Sequence, residues 1–208
     1  MSHGSVAALR RLWGEGIEAG VDEAGRGCLA GPVCAAAVIL PRDFSDPWLC
    51  DSKLLTAKRR EAMRGRIERE AIAWHVAMVP PRVIDAINIL QASVLAMQLA
   101  LDALPASPDL LLVDGNYFHT DSGIRYETIV HGDALYACIA AASILAKTHR
   151  DEFMLQLDRE YPGYDWASNK GYPTMKHRKA VRQLGLTPWH RLSFTIERQA
   201  LCGFPSQL

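Results

Sequence analysis

Residues 33–40 and 110–113 are two wholly apolar runs. The run at 110–113 has the pattern of a strand buried on both faces. Residues 16–21 precede the first run across a glycine-rich loop, and the two segments read as the strands of a hairpin. Residues 73–79, ended by Pro80-Pro81, read as a third strand, and residues 125–130 as a further one. Between residues 83 and 104 the periodicity changes. Ile84, Ile87, Leu90, Val94, Met97, Leu101 and Leu104 recur at steps of three and four, with Asp85, Asn88, Gln91, Gln98 and Asp102 on the other side. That is an amphipathic core helix; the polar residues argue against a membrane span that the length alone would allow.

Three more helices follow from caps and composition. Thr56 suits the N-cap of a charged helix reaching about residue 71. A long helix is expected over residues 134–160, just after His131-Gly132-Asp133, and Asp133 suits its cap. Within it, Ala140-Ala141-Ala142-Ser143 would let another backbone approach closely. Thr174 and Gly185 bracket a short basic helix as cap and C′ residue.

Bulk properties narrow the possible partners. With 208 residues, 49% hydrophobic and 23 acidic against 23 basic side chains, the chain reads as one globular domain without net charge. Binding to nucleic acid would need a local basic surface. Lys58, Arg59, Arg60, Arg64, Arg66 and Arg69 could supply one, although Glu61, Glu68 and Glu70 among them equally suit a solvated helix face. The tail is a second candidate. From Asp165 onward only Asp165 and Glu197 are acidic, against Lys170, Lys176, Arg178, Lys179, Arg182, Arg191 and Arg198. Tyr161, Tyr164, Trp166, Tyr172, Trp189 and Phe194 lie among or just ahead of these cations, as core or as a stacking platform. Five cysteines without C-x-x-C spacing point to a reducing, intracellular setting and away from zinc. The N-terminal residues do not read as a signal peptide.

The chemistry concentrates in residues 20–33. Asp22 and Glu23 are adjacent carboxylates, which suit either an acidic turn or a site where a cation neutralises both. Gly25, Gly27 and Gly31 allow backbone to approach a ligand, and Arg26 adds a fixed charge. Gly25 to Ala30 also fits the G-x-G-x-x-A dinucleotide fingerprint, but Pro32 and the strand-like run after it oppose the helix that motif requires. Asp114 ends the buried strand, where open α/β sheets place chemistry, and Asp114-Gly115 also suits a turn.

Taken together, seven motifs in order resemble the type II ribonuclease H family, bacterial ribonuclease HII in particular. They are residues 20–27, Asp51-Ser52-Lys53, Val113-Asp114-Gly115, Gly132-Asp133, residues 142–147 with Arg150-Asp151, Lys170-Gly171-Tyr172-Pro173, and His190-Arg191 with Ser193-Phe194. The resemblance spans residues 16–198. It implies an α/β fold of the ribonuclease H type, a mixed central sheet flanked by helices. It implies an endonuclease that cuts RNA in RNA/DNA hybrids and single ribonucleotides embedded in duplex DNA. Mg²⁺ or Mn²⁺ would be held by Asp22, Glu23, Asp114 and Asp133, with two ions activating water and stabilising the leaving oxygen.

The resemblance also assigns RNA selection to Gly25, Arg26, Gly27 and Tyr172, and makes Lys53, Ser143, Lys147 and Lys170 backbone contacts. A cytoplasmic monomer is expected. His131, Leu54 and Leu192 depart from the family pattern in ways that would weaken contacts to the hybrid, Cys28 departs from it with little effect, and none of the four touches the acids. A hybrid-binding module that does not cut would carry the same basic, aromatic tail.

Overall fold

Strands β1 (Glu18–Ala24) and β2 (Val33–Ile39) pair antiparallel across the glycine loop, as the hairpin reading requires. The computed structural model describes residues 9, 10, 13–49, 52 and 55–194. Around the hairpin, β3 (Ala73–Val79) adds antiparallel to β2, β4 (Leu110–Asp114) parallel to β1, and β5 (Arg125–Ile129) parallel to β4. The sheet order is β3-β2-β1-β4-β5, so β1 and β4 are interior strands.

The apolar runs follow from helices on both faces. Along β2, Val33, Ala35, Ala37 and Ile39 face helix α2 (Pro81–Asp102). Cys34, Ala36 and Val38 face α1 (Ala57–Glu70) and α3 (Ala137–Glu160). A strand with period two and no solvated face has no position left for a polar residue. Thr56 caps α1, its Oγ1 accepting from the Arg59 amide at 3.3 Å. The helix turns Met63 and Ile67 inward. Its cations pair outside, Arg64 with Glu68 at 2.7 Å and with Glu152 at 2.9 Å, and Arg66 with Glu70 at 3.0 Å, which favours the solvated-face reading.

Helix α2 departs from the expected continuous stripe. Asn88 has φ 67° and ψ 166°, and its Oδ1 accepts from the amides of Leu90 and Gln91 at 3.0 and 3.1 Å. Asn88 therefore restarts the helix as an internal cap. The break shifts the phase, so Ile87 is exposed while Ala92, Ser93, Ala96 and Ala100 join Val94 and Met97 on the buried side. Although α2 is long and apolar enough to cross a membrane, that side packs on β1 to β4. Pro81 also moves its start two residues earlier, because proline is favoured in a first helical turn.

Helix α3 begins at Ala137, after a single 3₁₀ turn over Gly132–Ala134. Asp133 lies in that turn and Tyr136 takes the cap position, which corrects the capping role expected for Asp133. In the tail, α4 (Trp166–Asn169) was not expected, whereas α5 (Met175–Leu184) lies between Thr174 and Gly185 as read from the sequence. Most of the tail's aromatics are core. Trp166 and Tyr164 are buried and stacked 5.0 Å apart, with Tyr161 and Trp189 against the same cluster; Tyr172 is 41% exposed.

Candidate active site

Strand periodicity sends neighbouring side chains to opposite faces, and this separates Asp22 from Glu23. Ala19 and Val21 face α2, so Asp22 points with Gly20 towards α3 and Glu23 towards α2. On β4, Leu111 and Val113 face α2, which puts Asp114 on the α3 side with Asp22. Val21 pairs with Val113 in parallel register, so the two aspartates leave adjacent strands side by side at their carboxyl ends.

The 3₁₀ turn packs at the end of β4. The amide of Gly132 donates to Asp114 Oδ1 at 2.7 Å, which brings the buried Asp133 against the end of β4. Asp22 is 5% exposed, accepts from the Glu23 amide at 2.7 Å, and has the Ser143 hydroxyl beside it, which favours its charged form. The Ser143 hydroxyl also meets that of Ser52 at 3.0 Å. Burial, then repulsion from Glu23 and Asp114, holds the Asp22 carboxyl well above the usual carboxylate range. Burial also raises Glu23; Arg26, 3.1 Å away, opposes that shift and Asp114 adds to it.

These groups suit a hard divalent cation. All the donors are oxygens, and the groups beside the buried Asp22 carboxylate among the described residues include the neutral Glu23 amide and the neutral Ser143 hydroxyl. Among the described residues, no three acidic, histidine or cysteine side chains already form a closed ligand set.

The glycine loop sits beside the acids, with Arg26 and Gly27 exposed and Gly25 buried. Val33 opens a strand after it, so the helix of a dinucleotide site is absent there. The loop touches the tyrosine loop, since the amides of Leu29 and Ala30 both donate to the Gly171 carbonyl, at 2.8 and 3.4 Å. Lys147 pairs with Asp151 at 2.7 Å and lies 5.7 Å from the centre of the Tyr172 ring. Lys170 donates to the Ala167 carbonyl, and burial lowers its pKa.

Ser143 is buried behind Asp22 instead of lining the surface; Lys53 and Leu54 lie outside the described residues. His131 is exposed in the left-handed region at φ 57°, and Leu192 is exposed beside Ser193, whose amide and hydroxyl donate to Asp85. Sequence reasoning missed the α2 side of the site. Leu90, Ser93, Val94 and Met97 line a cleft with Glu23, Arg26 and Asp114. The available signal was Asn88, whose short polar side chain can cap a new helix segment.

A mixed sheet between helices, with carboxylates gathered at the ends of two adjacent parallel strands, defines an α/β protein of the ribonuclease H type. The ribonuclease HII family model matches residues 19–197. The chain is 58% identical over 180 residues to ribonuclease HII of Bacteroides thetaiotaomicron, covering 86% of this chain and 90% of that protein. It is 57% identical over 189 residues to the Parabacteroides distasonis enzyme, covering 90% and 95%. The crystal structure of ribonuclease H2 from Pyrococcus horikoshii superposes with a TM-score of 0.74 at 25% identity, over 88% of this chain and 96% of that one. Bst-RNase HIII in complex with Mn²⁺ shares the fold, with a TM-score of 0.66 at 20% identity over 94% and 70%. The chain therefore belongs to the ribonuclease HII family. It is a type II ribonuclease H, one of the divalent-metal-dependent enzymes that cleave the RNA of RNA/DNA hybrids.

Proposed function

We propose that this enzyme cuts 5′ of single ribonucleotides embedded in duplex DNA as well as within RNA/DNA hybrids, leaving 3′-hydroxyl and 5′-phosphate ends. The observation that carries the reading is the position of the glycine loop and Tyr172 against each other beside the four acids. A 2′-hydroxyl is the group that separates RNA from DNA, and backbone groups at Gly25, Arg26 and Gly27 suit it, with the Tyr172 ring against the neighbouring sugar. Asp22, Glu23, Asp114 and Asp133 would hold Mg²⁺ or Mn²⁺. Such ions would supply an activated water for attack on the scissile phosphate and charge for the leaving 3′-oxygen. Ser143 holds the Asp22 carboxylate in place, and Lys147 and Lys170 supply positive charge beside Tyr172. The free, buried thiols of Cys28, Cys34 and Cys138 suit a cytoplasmic setting, and the enzyme acts as a monomer.

Three end-labelled duplexes test this reading: all DNA, DNA with one ribonucleotide, and an RNA/DNA hybrid, each with Mg²⁺, Mn²⁺ or chelator. Metal-dependent cutting on the 5′ side of the lone ribonucleotide is expected. Cutting of the hybrid alone would refute the single-ribonucleotide activity.

Gly27→Ala isolates the loop's contribution. Nothing lies within 4 Å of a Cβ built at Gly27, and its φ is not in the left-handed region. The variant should melt within about 2 °C of wild type, as surface changes generally do. Cleavage at a single ribonucleotide should fall by about tenfold or more, because the added methyl separates the loop from the sugar. Wild-type cleavage by Gly27→Ala would remove this residue from ribose recognition.

A further inference from the structure

Arg191 and Arg150 are almost completely buried, at 0% and 1% exposure, and their guanidinium groups meet backbone carbonyls. Arg191 Nη2 donates to the Gly25 carbonyl at 2.8 Å, Nη1 to that of Arg26 at 2.8 Å, and Nε to that of Gly31 at 3.0 Å. Arg150 Nε donates to the Pro32 carbonyl at 2.9 Å and Nη2 to that of Ala30 at 3.1 Å. Its Nη1 crosses to the other loop, reaching the Lys170 carbonyl at 2.9 Å. One arginine thus fixes the glycine loop from behind, and the other joins it to the loop that carries Tyr172.

Peptide geometry turns these inward bonds into an outward consequence. The carbonyl of Gly25 and the amide of Arg26 belong to one planar unit, and no peptide bond in the described chain is cis. With that carbonyl drawn in to Arg191, the Arg26 amide must point the opposite way. The same holds for the Arg26 carbonyl and the Gly27 amide. Among the described residues, neither amide has an acceptor within the chain, although the following amides of Cys28, Leu29, Ala30 and Gly31 all do. Among the described residues, the Arg26 and Gly27 amides that Arg191 turns outward are thus available to a ligand.

We infer that Arg191 and Arg150 are the positioning residues of ribose selection, Arg191 by orienting the Arg26 and Gly27 amides and Arg150 by fixing their distance from Tyr172. The inference rests on the ribose-recognition reading above. A guanidinium suits the task where an ammonium does not, because its planar fork reaches three carbonyls at fixed angles. Burying the charge is costly, and packing alone would be served by an apolar side chain. Gly25 makes room for the device: a Cβ there would lie 2.0 Å from Arg150 Nε, and its φ is +95°.

The test is the ratio of dissociation constants, by fluorescence anisotropy, for an all-DNA duplex and the same duplex with one ribonucleotide. Ca²⁺ replaces Mg²⁺, and any cutting is monitored on gels. Wild type should prefer the ribonucleotide by about tenfold, the worth of one or two hydrogen bonds. Arg191→Lys should bring the ratio close to one while leaving all-DNA affinity unchanged, and Arg150→Lys should reduce it in the same direction. Because both constants are measured on one preparation, a loss of folded protein does not alter the ratio. If Arg191→Lys does not fold, Arg191→Gln, which removes the buried charge and keeps two donors, replaces it. A wild-type ratio of one would overturn the ribose-recognition reading itself. A wild-type preference retained by both variants, with lowered melting temperatures, would overturn the inference and leave the arginines as structural supports.

Discussion

Asp22→Asn is expected to reduce cleavage by about 10³-fold or more, while raising the melting temperature of the metal-free protein at neutral pH. Both effects come from one placement. The carboxylate is buried at a strand end, next to Glu23 and Asp114, and accepts from the neutral Glu23 amide, with the neutral Ser143 hydroxyl beside it. An amide of the same shape retains the packing but loses the charge that would hold a divalent cation. Losing several kcal/mol of charge stabilisation at the reacting phosphate corresponds to that rate loss, at about 1.4 kcal/mol per tenfold.

The stability effect has the opposite sign because the folded-state pKa of Asp22 is raised, first by burial and then by its acidic neighbours. Between the ordinary aspartate value of about 3.9 and the raised one, the folded protein binds the proton and the unfolded chain does not. Stability in chelator therefore falls as pH rises through that window, and above it the full repulsion remains. The Asp22→Asn substitution removes the penalty and flattens this part of the profile. In a chain of this size each kcal/mol relieved raises the melting temperature by roughly 2–4 °C. Melting curves in chelator across the acid-to-neutral range, beside gel assays with Mn²⁺, check both parts. An Asp22→Asn enzyme that still cuts, or that melts below wild type at neutral pH, would contradict this account.

Some of this site is legible in the sequence because the signals are local. The hairpin, β3, β4 and the Thr56 cap each follow from periodicity or from a capping residue within a few positions. Asp114 could be placed because a fully apolar run has to end where the sheet ends. Asn88 was harder, since an asparagine on the polar side of a helical stripe looks like any other polar residue until its side chain is seen capping Leu90 and Gln91. The opposite directions of Asp22 and Glu23 were available from strand period two. Other features depend on distance along the chain. Ser52 and Ser143 meet across 91 residues, and Arg191 reaches the glycine loop across 160 or more. Motif resemblance flagged those positions, but their partners emerge only when the sheet brings the segments together.

Gly20 shows how closely the carboxylate depends on backbone packing, and Gly20→Ala is expected to destabilise the protein by more than about 4 kcal/mol. A Cβ at this position would lie 2.1 Å from the carbonyl carbon of Cys138 and 2.3 Å from the Ile139 nitrogen. Both are backbone atoms of the first turn of α3, so no side-chain rotation relieves the overlap. Helix α3 would have to move away from β1, where Ala140, Ala141, Ala142 and Ser143 are all buried. Glycine inside a strand marks such a close approach. Gly20 and Asp22 share one face of β1, and Ser143 lies about one and a half turns beyond Cys138, so the displacement that accommodates a methyl also removes Ser143 from Asp22. Urea unfolding followed by circular dichroism, with cleavage assayed on whatever fraction folds, measures both consequences. A Gly20→Ala protein with wild-type stability and activity would mean that α3 can recede from β1 without disturbing the Asp22–Ser143 contact, and that the close approach does not hold the site together.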